Sequence, residues 1–421
     1  MKIAFMTEFI TFEPLGIMSL SAFTRLHKHE TQLFDIKLEK EWKNSLINFN
    51  PDVVCYSVAT GSEKKWLRIN KDLKKEINFL AFFGGMHTTF QPEFIKEESV
   101  DVVCRGEGEH PFVEMLNSMQ EGKEIAHIKG LWVKKDGGIF KNEMAPWEQN
   151  LDVFPPPDRE LVNKYRAYQK MNRRTVMTTR GCTFACTYCF NPGYNKLYEG
   201  QNIVRRRSVQ HVIDELKKLK EVYKAKSLYF IDDVFVFKPN WVIEFCKIYK
   251  KEIGLPFIVQ TRIELMTSEL AEALADAGCS ICTFAIESGN TEIRTKLLKR
   301  HMTNEKVIEG ASYLRKNKIK IYAQNMIGLP TETLEDAFKT VELNRKIKPH
   351  YAAVSNFQPY PGTELGEKSK EMGLVSSLDF PESFFDSSIL NQGEKKYFER
   401  LRCLFFLAMY SKSMEKFVKL L

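Results

Sequence analysis

Nine cysteines stand at positions 55, 104, 182, 186, 189, 246, 279, 282 and 403 of the 421-residue chain, and three of them fall within eight residues. That segment reads Arg180-Gly181-Cys182-Thr183-Phe184-Ala185-Cys186-Thr187-Tyr188-Cys189, a C-x3-C-x2-C spacing. Three thiolates on one short loop can hold three irons of a 4Fe–4S cluster, and ordinary clusters take four cysteine ligands, so the fourth iron keeps an open site for a small chelating ligand. A structural zinc prefers four closed ligands and paired C-x2-C spacings. His211 could be offered as the fourth, but nothing local supplies one. An odd, scattered set of cysteines in a long chain is not a disulfide framework. Cys279 and Cys282 open a strand-like run and are expected in the core, as are Cys55, Cys104, Cys246 and Cys403 in their apolar runs.

The elements that must position this loop alternate strand with helix. Before residue 145, strand-like runs appear at 3–7, 33–36, 53–57, 80–83 and 102–104, with amphipathic stretches such as 15–26 and 66–77 between them. That pattern predicts an α/β, doubly wound, Rossmann-like parallel sheet covered on both sides. Small polar connections follow the strands: Thr60-Gly61-Ser62, Gly84-Gly85-Met86-His87 and Arg105-Gly106-Glu107-Gly108-Glu109. Such sheets bind ligands at those strand ends. A hairpin is expected around Asp136-Gly137-Gly138 and a linker over 146–171, where Pro155-Pro156-Pro157 can neither continue a helix nor join a central strand. From residue 172 to 365 six more strands, at 175–179, 227–231, 257–261, 280–285, 319–326 and 352–357, alternate with helices such as 209–223 and 333–347. Six such units fit a partial (β/α)6 TIM-type barrel with its chemistry at the carboxyl ends of the strands. Residues 366–421 read as an amphipathic helical region without an assigned task.

Composition narrows the class. The chain is 43% apolar, which excludes a disordered or collagen-like protein. The net charge of +8 over this length is a mild bias, so no DNA partner is indicated. No run approaches the roughly 20 apolar residues of a membrane span. Glu8 interrupts the apolar start, so no signal segment is expected and the localisation reads as cytoplasmic.

The cysteine spacing, with an aromatic before the last cysteine and a place directly after the first barrel strand, resembles the radical S-adenosylmethionine (SAM) enzymes. The resemblance implies that Cys182, Cys186 and Cys189 ligate a 4Fe–4S cluster and that SAM chelates its unique iron through amino and carboxylate groups. One electron would then cleave SAM to methionine and a 5′-deoxyadenosyl radical, and Tyr188 would lie against the adenine. Further segments match in order along the barrel. Asp232 and Asp233 end the second strand, Gln260-Thr261-Arg262 ends the third, Ala285-Ile286-Glu287-Ser288-Gly289 follows the fourth, and Gln324 to Pro330, with Gly328, follows the fifth. Read singly, the acids could be helix caps, Arg262 a surface ion pair and the glycines ordinary turns. In the family these positions contact SAM, which would give Asp232, Arg262, Glu287, Ser288, Gly289 and Gly328 that role.

A doubly wound domain ahead of the barrel resembles the cobalamin-binding branch of that family, the class B radical SAM methylases. Thr60, Gly61, Ser62, Gly84, Gly85, His87, Gly106 and Glu107 would then face cobalamin, and Pro359-Tyr360-Pro361-Gly362-Thr363 resembles the loop after the sixth strand. One departure stands out. The D-x-H-x-x-G loop that ligates cobalt through histidine is replaced by Glu8-Phe9-Ile10-Thr11-Phe12-Glu13-Pro14-Leu15-Gly16, which implies cobalamin without a histidine lower ligand. Branch membership implies methylation of an unactivated carbon or phosphorus of a small-molecule substrate, with electrons from a donor such as flavodoxin or ferredoxin. Cyclisation or rearrangement is the alternative chemistry, and an electron carrier or cobalamin sensor the alternative class. A methylthiotransferase would need three further cysteines in the N-terminal domain, where residues 1–181 hold only Cys55 and Cys104.

Overall fold

The computed structural model describes every residue except 10, 376, 378, 384, 414–416 and 419–421. The chain forms two compact units, Met1–Met171 with Lys196–Asn202, and Asn172–Asn195 with Ile203–Leu421.

The first unit is built on a seven-stranded sheet of β1 (Lys2–Thr7), β2 (Glu30–Asp35), β3 (Val53–Ser57), β4 (Leu80–Gly84), β5 (Val102–Cys104), β6 (Leu131–Lys135) and β7 (Gly138–Lys141), ordered β2-β1-β3-β4-β5-β6-β7. β1 to β5 are parallel, and the β6–β7 hairpin adds to the edge antiparallel. Ile3, Ala4, Phe5, Met6 and Thr7 are all buried, as a strand covered by helices on both faces requires. The covering helices are α1 (Leu15–Leu26), α2 (Trp42–Phe49), α3 (Glu63–Leu73), the short α4 (Met86–Phe90) and α5 (Glu109–Gln120). The order reverses direction between β1 and β3, so the carboxyl ends of β3, β4 and β5 bring the three polar connections to one edge. The expected linker is corrected. Residues 146–171 hold short helices α6 (Arg159–Asn163) and α7 (Arg166–Gln169), and Trp147, Leu151, Phe154, Leu161, Tyr165 and Tyr168 are buried. Prolines break regular structure there, but the aromatic and apolar residues around them supply enough burial to anchor the segment to the first unit.

The second unit holds β8 (Arg173–Val176), the two-residue strands β9 (Thr179–Arg180) and β10 (Arg205–Arg206), then β11 (Ser227–Phe230), β12 (Phe257–Thr261), β13 (Cys279–Glu287), β14 (Lys320–Ile327) and β15 (Tyr351–Asn356). Six of them form an all-parallel sheet in sequential order, β8-β11-β12-β13-β14-β15, the arrangement of a partial barrel. Between strands lie α8 (Phe190–Leu197), α9 (Val209–Glu221), α10 (Pro239–Glu252), α11 (Ser268–Asp276), α12 (Asn304–Lys316) and α13 (Leu334–Ile347). Side chains from strands and helices, among them Val176, Phe230, Val259, Phe284, Ile321, Phe245 and Leu314, make one buried core. Ser208, Thr267, Thr303 and Thr333 each accept a hydrogen bond from the first turn of the helix they precede, and Thr333 completes a capping box with Asp336.

The first barrel strand is shorter than expected. β8 stops at Val176, because the Thr178 amide is committed to the Asp232 carboxylate instead of a ladder, and Thr179–Arg180 pairs antiparallel with Arg205–Arg206. After the barrel come α14 (Glu364–Glu371) and α15 (Lys395–Tyr410). Phe398, Leu401 and Phe405 of α15 pack with Phe338 and Val341 of α13. The end of the expected helical region, at 414–416 and 419–421, lies outside the described residues. No helix is long and apolar enough to cross a membrane among the described residues.

Candidate active site

The cysteine loop is fixed from both sides. Upstream, Asp232 Oδ1 accepts from the Thr178 amide at 3.0 Å, the Thr178 hydroxyl at 2.6 Å and the Thr179 hydroxyl. Downstream, the Thr187 amide donates to the Leu298 carbonyl at 3.2 Å, its hydroxyl to the Leu297 carbonyl at 2.7 Å, and its carbonyl accepts from the Leu365 amide at 2.8 Å. Asn195 donates to the Cys182 carbonyl at 2.8 Å. Asp232 therefore anchors the loop, and its other oxygen is buried without a partner.

All three thiols receive donors or sit in desolvated surroundings. The Cys186 sulfur accepts from Arg262 Nη1 at 3.2 Å and Arg300 Nη1 at 3.9 Å, and the Cys189 sulfur from the Asn191 amide at 3.5 Å. Burial pushes the Cys182 thiol up and the Cys189 thiol up to about 12. Such thiols are stable protonated until a metal replaces the proton. Among the described residues no three His, Cys, Asp or Glu side chains group closely enough for one metal ion. A cubane binds each thiolate to a different iron and so wants donors spread around a loop, each with N–H groups aimed at its sulfur. The residues present fit that group.

Beside the loop, the Tyr188 hydroxyl donates to Glu287 Oε1 at 2.8 Å and accepts from Arg300 Nη1 at 3.1 Å, while Arg300 Nη2 holds the Ala285 carbonyl at 2.7 Å. Burial pushes the Glu287 carboxyl up despite Arg300. Arg262 directs Nε and Nη2 onto Glu264 Oε1 and lies 3.7 Å from the Phe184 ring centre. Arg262 thus pairs with a carboxylate of the chain itself, Glu264, and turns its remaining edge to Cys186. The glycine at 289 also has another reason. A Cβ there would lie 2.1 Å from the Lys339 carbonyl oxygen, and its amide donates to the Thr340 hydroxyl at 2.8 Å, so the missing side chain admits α13 rather than a ligand. Ser288 is fully buried behind it, its carbonyl taking Arg294 Nη1 at 2.8 Å. Gly328 turns the chain after β14 with a carbonyl that accepts from Gln392 at 3.0 Å. One residue the sequence did not single out belongs here: Arg300 carries no motif signal in Lys299-Arg300-His301. Asp233, the second acid of the pair, is held by Asn191 Nδ2 at 3.2 Å, and desolvation beside the cysteines raises its carboxyl.

Several buried polar atoms of this unit have no partner, at or just past strand ends (Asp232 Oδ2, Thr261 Oγ1, Glu264 Oε2), within β13 (Thr283 Oγ1) and on Arg300 (Nε). Unpaired buried polar atoms are costly and rare unless a ligand or solvent meets them. Glu332, four residues past Gly328, is a related case: one oxygen takes the Leu329 amide at 3.1 Å, and burial pushes its carboxyl up to about 8. An acid whose folded pKa is raised binds more protons folded than unfolded, so its contribution is present below the unfolded pKa and lost as pH rises toward 8. Glu332→Gln is expected to flatten the fall of Tm between pH 5 and 8; an unchanged slope by calorimetry would contradict this.

In the first unit the three polar connections interlock. The Val58 amide donates to the Gly84 carbonyl at 2.8 Å and the His87 amide to the Val58 carbonyl at 3.1 Å, across Gly85. Thr60 Oγ1 and His87 Nδ1 are 3.2 Å apart, Gly61 donates to Glu63 at 2.6 Å, and Ser62 Oγ to the Ala59 carbonyl at 2.8 Å. Burial lowers the His87 pKa, which favours the neutral ring. At Gly106 a Cβ would stand 1.8 Å from the Tyr198 hydroxyl, which also accepts from the Glu107 amide at 3.2 Å, so the close approach of Tyr198 is one reason for glycine there. Tyr198 is itself stacked on Trp147 at 4.1 Å.

Two family profiles match the chain: Radical SAM superfamily over residues 176–343 and B12 binding domain over 10–116. Residues 176–343 thus carry a radical SAM domain and residues 10–116 a B12-binding domain. Among its relatives, an uncharacterized methyltransferase of Pyrococcus horikoshii is 29% identical over 88% of this chain and 81% of its own length. The cytidylyl-2-hydroxyethylphosphonate methyltransferase of Streptomyces wedmorensis is 26% identical over 86% and 78%. The anaerobic magnesium-protoporphyrin IX monomethyl ester cyclase of Rubrivivax gelatinosus is 25% identical over 84% of this chain, which spans 64% of that protein. The radical SAM methyltransferase TsrM of Kitasatospora setae, solved with cobalamin and a [4Fe-4S] cluster, shares the fold with a TM-score of 0.73 at 16% identity, over 89% of this chain and 75% of that one.

Proposed function

We propose that the protein is a cobalamin-dependent radical SAM methyltransferase acting at an unactivated carbon or phosphorus of a small molecule. The observation that carries the reading is a three-cysteine loop, each thiol set among donors or desolvated, at the strand ends of a partial barrel on a chain that also holds a B12-binding domain. When bound, the cluster, SAM and cobalamin together supply reductive cleavage of a sulfonium and a transferable methyl group. The chain's residues do the rest. Cys182, Cys186 and Cys189 hold the cluster, and Asp232 fixes the approach to their loop. Tyr188 and Glu287 present one hydrogen-bonded edge to SAM, and Asp233 offers a carboxylate to its ammonium group. Thr60, Gly61, Ser62, Gly84, Gly85, His87 and Glu107 shape the cobalamin edge of the first unit, with neutral His87 tied to Thr60. Electrons would come from a flavodoxin- or ferredoxin-type donor.

The test is anaerobic incubation of the reconstituted protein with SAM and reductant, with and without cobalamin. S-adenosylhomocysteine that requires cobalamin, together with 5′-deoxyadenosine, supports methyl transfer. 5′-Deoxyadenosine alone, whatever the cobalamin content, would move the assignment to cyclisation or rearrangement, which the likeness to the Rubrivivax cyclase supports.

A further inference from the structure

Two guanidinium groups converge on one cluster thiol, and only one of them is hydrogen-bonded to a carboxylate. Arg262 reaches the Cys186 sulfur at 3.2 Å but carries Glu264 on its other edge, a buried pair in which one carboxylate answers one cation. Arg300 reaches the same sulfur at 3.9 Å, is 5% exposed, and spends its remaining bonds on neutral oxygens, the Tyr188 hydroxyl and the Ala285 carbonyl. No carboxylate hydrogen-bonds Arg300 among the described residues; Glu287, which accepts from Tyr188, and Glu264 act on its charge at longer range. Arg300 Nε is buried without a partner.

We infer that Arg262 and Arg300 form a cationic clamp on Cys186 in which Arg300, the member with no carboxylate hydrogen-bonded to it, raises the reduction potential of the iron–sulfur cluster. The inference rests on the cluster reading above. Adding an electron to the cluster increases its negative charge, and a fixed cation at a ligating sulfur stabilises the reduced state more than the oxidised one. Burial keeps that cation little screened by solvent. The clamp also fixes Tyr188 and so couples the charge to the residue beside the last cysteine.

The test is an EPR-monitored potentiometric titration of the full chain, reconstituted anaerobically with iron and sulfide and free of SAM and cobalamin. Arg300→Gln is expected to shift the midpoint to more negative potential, Arg300→Lys to stay near the wild-type value, and Glu264→Gln, which leaves Arg262 unbalanced, to shift it to more positive potential. Opposite signs from two neighbouring substitutions are not the result of a merely structural role. A wild-type chain that loads no cubane would sink the function reading itself. A loaded wild type with an unchanged midpoint in Arg300→Gln overturns the clamp alone, and so does a shift in Arg300→Lys as large as that in Arg300→Gln. If Arg300→Gln does not hold iron, Glu264→Gln decides, and an unchanged midpoint there overturns the inference.

Discussion

Cys186→Ala is expected to reduce both cluster iron and SAM cleavage to background while the fold stays intact. Cys186 is the buried middle member of the trio and receives both guanidinium groups. Removing its sulfur takes away one iron ligand and leaves two buried cations facing a methyl group, so cluster assembly loses both its covalent hold and its charge complement. The stability change of the metal-free protein should be small, about 1 kcal/mol, as for an ordinary buried truncation. Iron quantitation and 5′-deoxyadenosine formation check the pair of losses. Retained turnover in this variant would contradict the assignment of the loop.

Asp232→Ala should be the most damaging change at the site that touches no cysteine. One oxygen of Asp232 satisfies three donors, the Thr178 amide and the Thr178 and Thr179 hydroxyls. Each buried donor left alone costs about 1–3 kcal/mol, so the variant should lose about 3–9 kcal/mol and, at about 2–4 °C per kcal/mol, at least about 6 °C in Tm. Asp232→Asn keeps the accepting oxygen and should cost about 1 kcal/mol. The two variants separate anchoring from ligand binding. If Asp232 instead contacted SAM directly, Asn would weaken SAM binding at nearly unchanged Tm, and Ala would not be much less stable than Asn.

The sequence carried the architecture because its signals were local. Apolar runs such as Val53–Ser57 and Phe257–Thr261 are strands as read, and the Ser or Thr before α9, α11, α12 and α13 is a working cap. The cysteine loop was legible because its spacing is itself chemistry. What stayed hidden depends on contacts between distant residues. Gly106 and Gly289 read as ligand approaches, and their missing side chains make room for Tyr198 and for α13. Arg262 read as a partner for a carboxylate, and Glu264 two residues on folds back to be one, which no motif signalled. Three prolines read as a linker, although flanking aromatics such as Trp147 and Tyr168 hold the segment down. Arg300 lies 114 positions from Cys186, and no spacing rule links them.

The most direct test of the central claim is EPR of the anaerobically reconstituted, reduced protein before and after SAM is added. The expected spectrum is that of a reduced [4Fe–4S] cluster whose shape changes when SAM occupies the iron that no cysteine holds. A spectrum indifferent to SAM, or a protein that retains only tetrahedrally bound zinc by X-ray absorption after loading with iron and sulfide, would contradict it.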